Sequence, residues 1–382
     1  MKIVHMCLSC FYIDGYSYQE NQLVAQHVAD GHEVVVIAST DTFDADKRPC
    51  FVEPSTYIGT DGAQVIRLPY RQLIPRVLAA KIRAYLGVQS ILKRLSPDII
   101  LFHGLCAWEL LNVAKYVDEN RNVLLYADCH EDFNNSARSF FSKWGLHYSF
   151  YRPIVRHCLA KMRKILCVSQ ESIYFAQHMY GIPSRLLEFF PLGGVIFDDA
   201  TYAATRKSTR AERGWPETEI IFMQCGKIDT AKKLASSLRA FMTVPGSHLR
   251  FAIVGQIMSD VENEVRPLIS ADFRIQELGW VDSRQLQALL CAADVYVQPG
   301  SQSATMQMSL CCRCAVVLAN VLSHHVFVEA NGILVDDDKG LALALLTLGQ
   351  ETPTRLHQMS ARSASIANKL LDYRHLANRV LS

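Results

Sequence analysis

Ala292-Ala293-Asp294-Val295-Tyr296-Val297-Gln298-Pro299-Gly300-Ser301-Gln302-Ser303-Ala304-Thr305-Met306-Gln307 leads from an apolar strand through Pro-Gly and small hydroxyl residues into a helical run over 306–312. Strand, tight small-residue turn, then helix is the order that leaves free backbone N–H groups at a helix N-terminus, where a phosphate is favoured. No carboxylate lies between Asp294 and Glu329, so any group held there meets amides and hydroxyls rather than acids.

Working outward, short apolar runs and helical patterns alternate on both sides of this stretch. Strands are expected over 2–6, 33–38, 64–68, 98–102, 123–127 and 164–168, with an amphipathic helix over 18–30 stopped by Gly31. A second series follows at 220–224, 250–254, 274–278, 295–298 and 315–318, with helices over 234–241, 283–291 and 306–312. Such alternation predicts α/β architecture, with parallel sheets covered on both faces. The turn-rich and then charged segment from Pro191-Leu192-Gly193-Gly194 through 200–213 reads as a linker. The expectation is two doubly wound, Rossmann-like domains facing each other across a cleft, with ligands at the carboxyl ends of the strands.

At 382 residues the chain is long enough for two cores. It is 50% hydrophobic and 20% charged with a net charge of only +2, a balance that argues against disorder and against a nucleic-acid field. No apolar run approaches the ~20 residues that span a bilayer. Met1-Lys2-Ile3-Val4-His5-Met6 enters a strand directly, without a cleavable leader. Most of the 12 cysteines sit inside apolar runs, as packing residues do. Cys7 and Cys10 lack the second pair that a zinc ribbon needs, and Cys311, Cys312 and Cys314 read as packing behind the turn. A reduced, cytoplasmic setting is expected.

Five segments in order resemble the retaining glycosyltransferase family 4 of surface-polysaccharide and O-antigen assembly, enzymes of GT-B fold. They are Asp14-Gly15-Tyr16-Ser17-Tyr18-Gln19-Glu20-Asn21, Asp128-Cys129-His130-Glu131-Asp132 and Phe190-Pro191-Leu192-Gly193-Gly194-Val195, then Gly226-Lys227-Ile228-Asp229-Thr230-Ala231-Lys232-Lys233, and last Gly279-Trp280-Val281 with Ala293-Asp294-Val295 and Pro299. The resemblance implies an N-terminal acceptor domain over 1–195 and a nucleotide-sugar domain over 205–361. A terminal helix over about 362–382 would pack back on the first domain.

The same resemblance assigns roles. Lys227 and Lys232, with Gly226 before them, take the place of the family's Arg and Lys on the donor diphosphate. Negative charge grows there as the glycosidic bond breaks, and fixed cations stabilise it. Gly15, Tyr16 and Ser17 form the loop over the phosphates and the acceptor. His130 addresses the transferred sugar, and Asp128 and His103 stand at strand ends beside the acceptor. Of the family's two glutamates around the phosphate cradle neither is present, and Gln307 (or its neighbour Met308) falls at the second. A Gln amide there can hydrogen-bond ribose hydroxyls without charge. Ser301, Ser303 and Thr305 supply hydroxyls, and the amides of Ala304, Thr305 and Met306 face the diphosphate. The resemblance implies no cofactor and no metal, with Lys and backbone amides in their place. Asp336-Asp337-Asp338 is not read as a metal-binding DxD, since three adjacent acids cannot all point inward.

Arg67, Arg71, Arg76, Lys81, Arg83, Lys93 and Arg94 alternate with apolar residues, and Arg152 to Lys164 follows an aromatic run of Phe140, Phe141, Trp144, Tyr148, Phe150 and Tyr151. That pattern suits the surface of an anionic leaflet, so peripheral contact on the inner face of the cytoplasmic membrane is expected.

The reading is a retaining, metal-independent, hexosyltransferase-like enzyme. It moves a sugar from a nucleoside-diphosphate sugar to a saccharide acceptor, lipid-linked as in lipopolysaccharide assembly. Two alternatives stand: a non-catalytic GT-B subunit that binds a saccharide or a partner, favoured by the missing glutamates, and a nucleotide-sugar 2-epimerase. No GxGxxG follows a strand, against a dehydrogenase, and no stacking platform supports nucleic-acid binding.

Overall fold

A computed structural model describes residues 1–43, 48–300 and 303–381. The chain divides into two compact units, 1–191 with 373–382, and 192–372. Each is a doubly wound α/β domain. The expected boundary near 195 lies here at 191, and the return to the first domain begins at 373 rather than near 362.

The first domain carries an eight-stranded sheet in the order Leu187–Phe189, Lys164–Cys167, Leu124–Cys129, Ile99–Phe102, Lys2–Cys7, Glu33–Ser39, Gln64–Leu68 and Thr56–Ile58. All neighbours are parallel except the last pair. Strands so placed are covered on both faces, which is why they read as unbroken apolar runs. One helical layer and its neighbours pack around Phe102, Leu110, Val155 and Phe175. On the other face Ile3, Leu23 and Leu101 meet Leu376, Ala377 and Val380 of the returning C-terminal segment.

The second domain has six parallel strands in the order Ile275–Gly279, Leu249–Val254, Ile220–Cys225, Val295–Gln298, Ala315–Ala319 and Gly332–Val335. Ile220–Cys225 is buried at every position. Phe222, Phe241 and Phe251 stack edge to face in the core beneath it.

One expectation is corrected: most of the segment taken for a linker is the helix Asp199–Arg213. Asp198 caps its start by accepting from the Thr201 N–H, and Gly214 ends it in the left-handed conformation. Its inner face is polar. Arg206 and Arg210, four residues apart, both donate to Asp294, at 2.7 and 2.6 Å. Asp294 also accepts the Ile221 N–H at 2.8 Å, so one carboxylate ties the helix to two strands.

In each sheet the strand order reverses once: between Lys2–Cys7 and Ile99–Phe102 in the first domain, and between Ile220–Cys225 and Val295–Gln298 in the second. Adjacent strands whose crossovers leave in opposite directions open a crevice at their carboxyl ends.

Candidate functional site

At the reversal point of the second domain, the loop after Ile220–Cys225 begins at Gly226 and carries Lys227, exposed, and Lys232, buried. The Gln224 amide holds the Lys232 carbonyl at 2.7 Å, tying the loop to the strand end. Opposite it, the turn after Val295–Gln298 passes through Gly300, where a Cβ would collide with the Ala231 carbonyl oxygen. A Cβ at Gly255 would likewise strike the Gly226 carbonyl. Glycine at both positions lets three loops approach backbone to backbone.

Ser303 then caps the helix Ala304–Cys311, accepting from the Met306 N–H at 3.3 Å while donating to Gln298 Oε1 at 2.8 Å. Thr305 hydrogen-bonds Tyr296 Oη at 2.9 Å and donates to the Cys225 carbonyl at 3.3 Å, joining the cradle to the neighbouring strand. The N–H groups of Ala304 and Thr305 find no acceptor among the described residues. Ser301 lies outside the described residues.

Lys232 is 9% exposed and forms no ion pair among the described residues. Burial lowers its pKa, against the opposing pull of Asp229. A buried ammonium on a loop that meets the turn at Gly300, with amides beyond that turn lacking acceptors among the described residues, makes a site suited to an anion. Gln307 and Met306 are fully buried. Gln307 Oε1 accepts the Gly193 N–H at 3.2 Å, and its Nε2 has no partner among the described residues. The residue thus sits beneath the cradle against the segment 192–194.

The triple acid is accounted for locally. Asp337 caps the helix Asp338–Gly349 through the Gly340 N–H, and Asp336 accepts from Asn320.

At the reversal point of the first domain, Gly15 and the half-buried Tyr16 lie in the loop between Lys2–Cys7 and Gln19–Ala29, with Ser17 exposed beside them. His103 follows Ile99–Phe102, and Asp128 is the penultimate residue of the neighbouring strand, which runs through Cys129, beyond its expected end at 127. The three predicted residues His103, Asp128 and His130 come together. Asp128 Oδ2 meets His103 Nδ1 at 2.5 Å, and Oδ1 accepts the Gly104 N–H at 2.6 Å with His130 Nε2 at 3.7 Å. Burial opposes ionisation of Asp128, but His103 and His130 outweigh it and hold the carboxyl well below its usual range. Burial likewise disfavours charge on His103, yet Asp128 raises its pKa to about 9. His130, half exposed, is raised in the same way.

Two residues escaped the sequence reading. His5 Nδ1 lies 3.0 Å from His103 Nε2, and His5 Nε2 lies 3.0 Å from His27 Nδ1, all buried. The signal was a single polar residue inside the apolar strand Lys2–Cys7.

The basic-apolar segment divides. Arg67 is buried on Ser39 and Tyr57, and Arg71 faces Glu109; neither belongs to an open basic face. Leu73, Val77, Phe140 and Phe141 are 99%, 82%, 72% and 84% exposed. The two parts meet where Tyr151 Oη donates to the Lys81 carbonyl at 2.7 Å. Ten cysteines are buried and all twelve are free thiols. No helix of the described residues is long and apolar enough to cross a membrane.

Residues 21–193 match the model of Glycosyltransferase Family 4, and residues 219–351 that of Glycosyl transferases group 1. Both halves are glycosyltransferase domains, and together they define a glycosyltransferase of the GT-B fold. Among solved structures, sucrose-phosphate synthase from Thermosynechococcus elongatus superposes with a TM-score of 0.68 at 17% identity, covering 99% of this chain and 97% of that one. HepE of Anabaena, in complex with UDP, superposes at 0.67 and 16% identity, covering 100% and 98%. WaaG, a glycosyltransferase involved in lipopolysaccharide biosynthesis, does so at 0.61 and 17%, covering 98% of each chain. No curated protein matches the chain by sequence.

Proposed function

We propose that the chain transfers a sugar from a nucleoside-diphosphate sugar to a saccharide acceptor, with retention at the anomeric carbon. One observation carries this reading: the buried Lys232, unpaired among the described residues, stands beside a glycine-built cradle at the reversal point of the second sheet. Lys232 and Lys227 would meet the diphosphate, and the amides of Ala304 and Thr305 would add to the charge stabilisation. Positive charge from lysine and amide groups makes the reaction metal-independent. That HepE is solved with UDP and with UDP-glucose supports a nucleotide-sugar donor. The first domain would hold the acceptor near Tyr16, Asp128 and His130, with His130 addressing the transferred sugar.

The acceptor we favour is a lipid-linked saccharide of surface-polysaccharide assembly, met at the inner face of the cytoplasmic membrane. The exposed Leu73 and Val77, near in sequence to the exposed Arg76 and Lys81, and the exposed Phe140 and Phe141 support this.

The test is a panel of nucleotide sugars read as free nucleotide released, with Lys232→Ala beside the native protein. We expect turnover with at least one donor and a loss of about 10²–10³-fold in the variant; unchanged turnover would remove Lys232 from the reaction. The alternative of a non-catalytic subunit draws on Gln307, whose amide oxygen is engaged by Gly193. Calorimetric titration with UDP and GDP separates the two: absence of binding at millimolar nucleotide favours the subunit.

A further inference from the structure

The buried row of imidazoles has a proton count that its hydrogen bonds fix. At one end His27 Nε2 lies 3.1 Å from the Ala377 carbonyl oxygen, which can only accept. At the other end His103 Nδ1 faces the Asp128 carboxylate. Four junctions (Asp128 to His103, His103 to His5, His5 to His27, and His27 to Ala377) each need one proton. Three neutral rings supply three, so a row with every junction made carries one more.

We propose that His5 and His27 are positioning residues for Asp128 and, through it, for His130: each ring of the row donates its Nε2 proton to the next, His103 is left an imidazolium, and its charge keeps Asp128 ionised and aimed at His130. The inference rests on the transferase reading only in giving His130 a substrate to meet.

The direction of donation follows from the carbonyl. His27 must donate from Nε2, so its neutral ring accepts at Nδ1 from His5 Nε2. His5 then accepts at Nδ1 from His103 Nε2, and His103, which also donates to Asp128, carries both protons. Electrostatics place the extra proton at the same end. Burial first, then the neighbouring His27 and His103, keep His5 neutral, and burial keeps His27 neutral. His103 faces Asp128, Cys7 and Glu20, groups that favour its charge. His27 faces His32 and Asp30, of opposite effect. His130 faces Asp128, Glu20 and Glu131. The row therefore joins a partly exposed histidine to a backbone carbonyl of the C-terminal segment through buried atoms alone.

The experiment uses the full chain with ¹⁵N-labelled histidine, titrated by long-range ¹H–¹⁵N NMR. In the native protein we expect His103 doubly protonated at pH 7.5, and His5 and His27 neutral with the proton on Nε2. His5→Leu removes the acceptor of His103 Nε2, so His103 should lose its second proton at least tenfold more readily, and the titration of His130 should move with it. His5→Gln, which can accept and donate at once, should restore both. Should His5→Leu fail to fold, His27→Leu tests the same row from its far end, with a smaller shift of the same sign.

His103 neutral at pH 7.5 in the native protein would overturn the proton assignment. A shifted His103 with an unmoved His130 would overturn the positioning role. With an active donor in hand, the basic limb of the pH–rate profile should shift in His5→Leu and return in His5→Gln. Failure to find any donor would count against the transferase reading while leaving the titrations decisive for the row.

Discussion

Lys232 sets two demands against each other. An ammonium that is 9% exposed and unpaired among the described residues costs folding free energy, and its charge is useful only when an anion arrives. Replacing it with Met should therefore cut turnover by about 10²–10³-fold while leaving the urea midpoint unchanged or higher. A drop in stability with normal turnover would make the amine structural instead. Gly300 tests the cradle without touching charge. A methyl group there meets the Ala231 carbonyl, so Gly300→Ala should displace the turn and weaken nucleotide binding by tenfold or more, measured by calorimetry.

At the level of elements, one carboxylate anchors a helix that is otherwise held mainly by polar contacts. Asp294 takes two guanidinium groups and a strand N–H. Asp294→Ala would leave Arg210, 2% exposed, with only the exposed Glu217 at 3.7 Å in place of its close acid, at a cost of about 3–5 kcal/mol in urea unfolding. The exposed pair Arg239–Glu264 is the control, since Arg239→Ala should cost less than about 1 kcal/mol. Equal effects would show that burial of Asp294 is not what matters. The same helix shows what the sequence could not disclose. Strands such as Gln64–Leu68 and Val295–Gln298 have the bounds expected of them, because burial on both faces writes itself as an apolar run. Asp199–Arg213 buries only Thr209 and Arg210, so hydrophobic periodicity had nothing to register there. The site divides likewise. His103, Asp128 and His130 were legible as polar residues at strand ends. Their partners His5 and His27 lie 98 and 76 positions from His103, and only the sheet order brings them close.

For the whole molecule, the imidazole row gives the first domain a signed response to pH. His5 and His27 have lowered pKa values, so the stability they supply is lost as pH falls below ~6.5. His103 has a raised one, so its contribution is full below ~6.5 and is lost as pH climbs through about 9. Asp128, depressed, holds its contribution until strongly acidic pH. The urea midpoint of the first domain should peak near neutrality and fall on both sides, each group changing stability by at most ~1.4 kcal/mol per pH unit. A flat profile between pH 5 and 9 would contradict this assignment of charge. The C-terminal segment enters here a second time. Val380 fills the first core, and Arg379 pairs with Glu188 and the Phe189 carbonyl. A ribosome making this chain thus releases the last piece of the first domain after the whole of the second, which is continuous over 192–372. During synthesis the first domain therefore keeps its Leu101 face uncovered until residues 376–380 have been made, after every residue of the second domain.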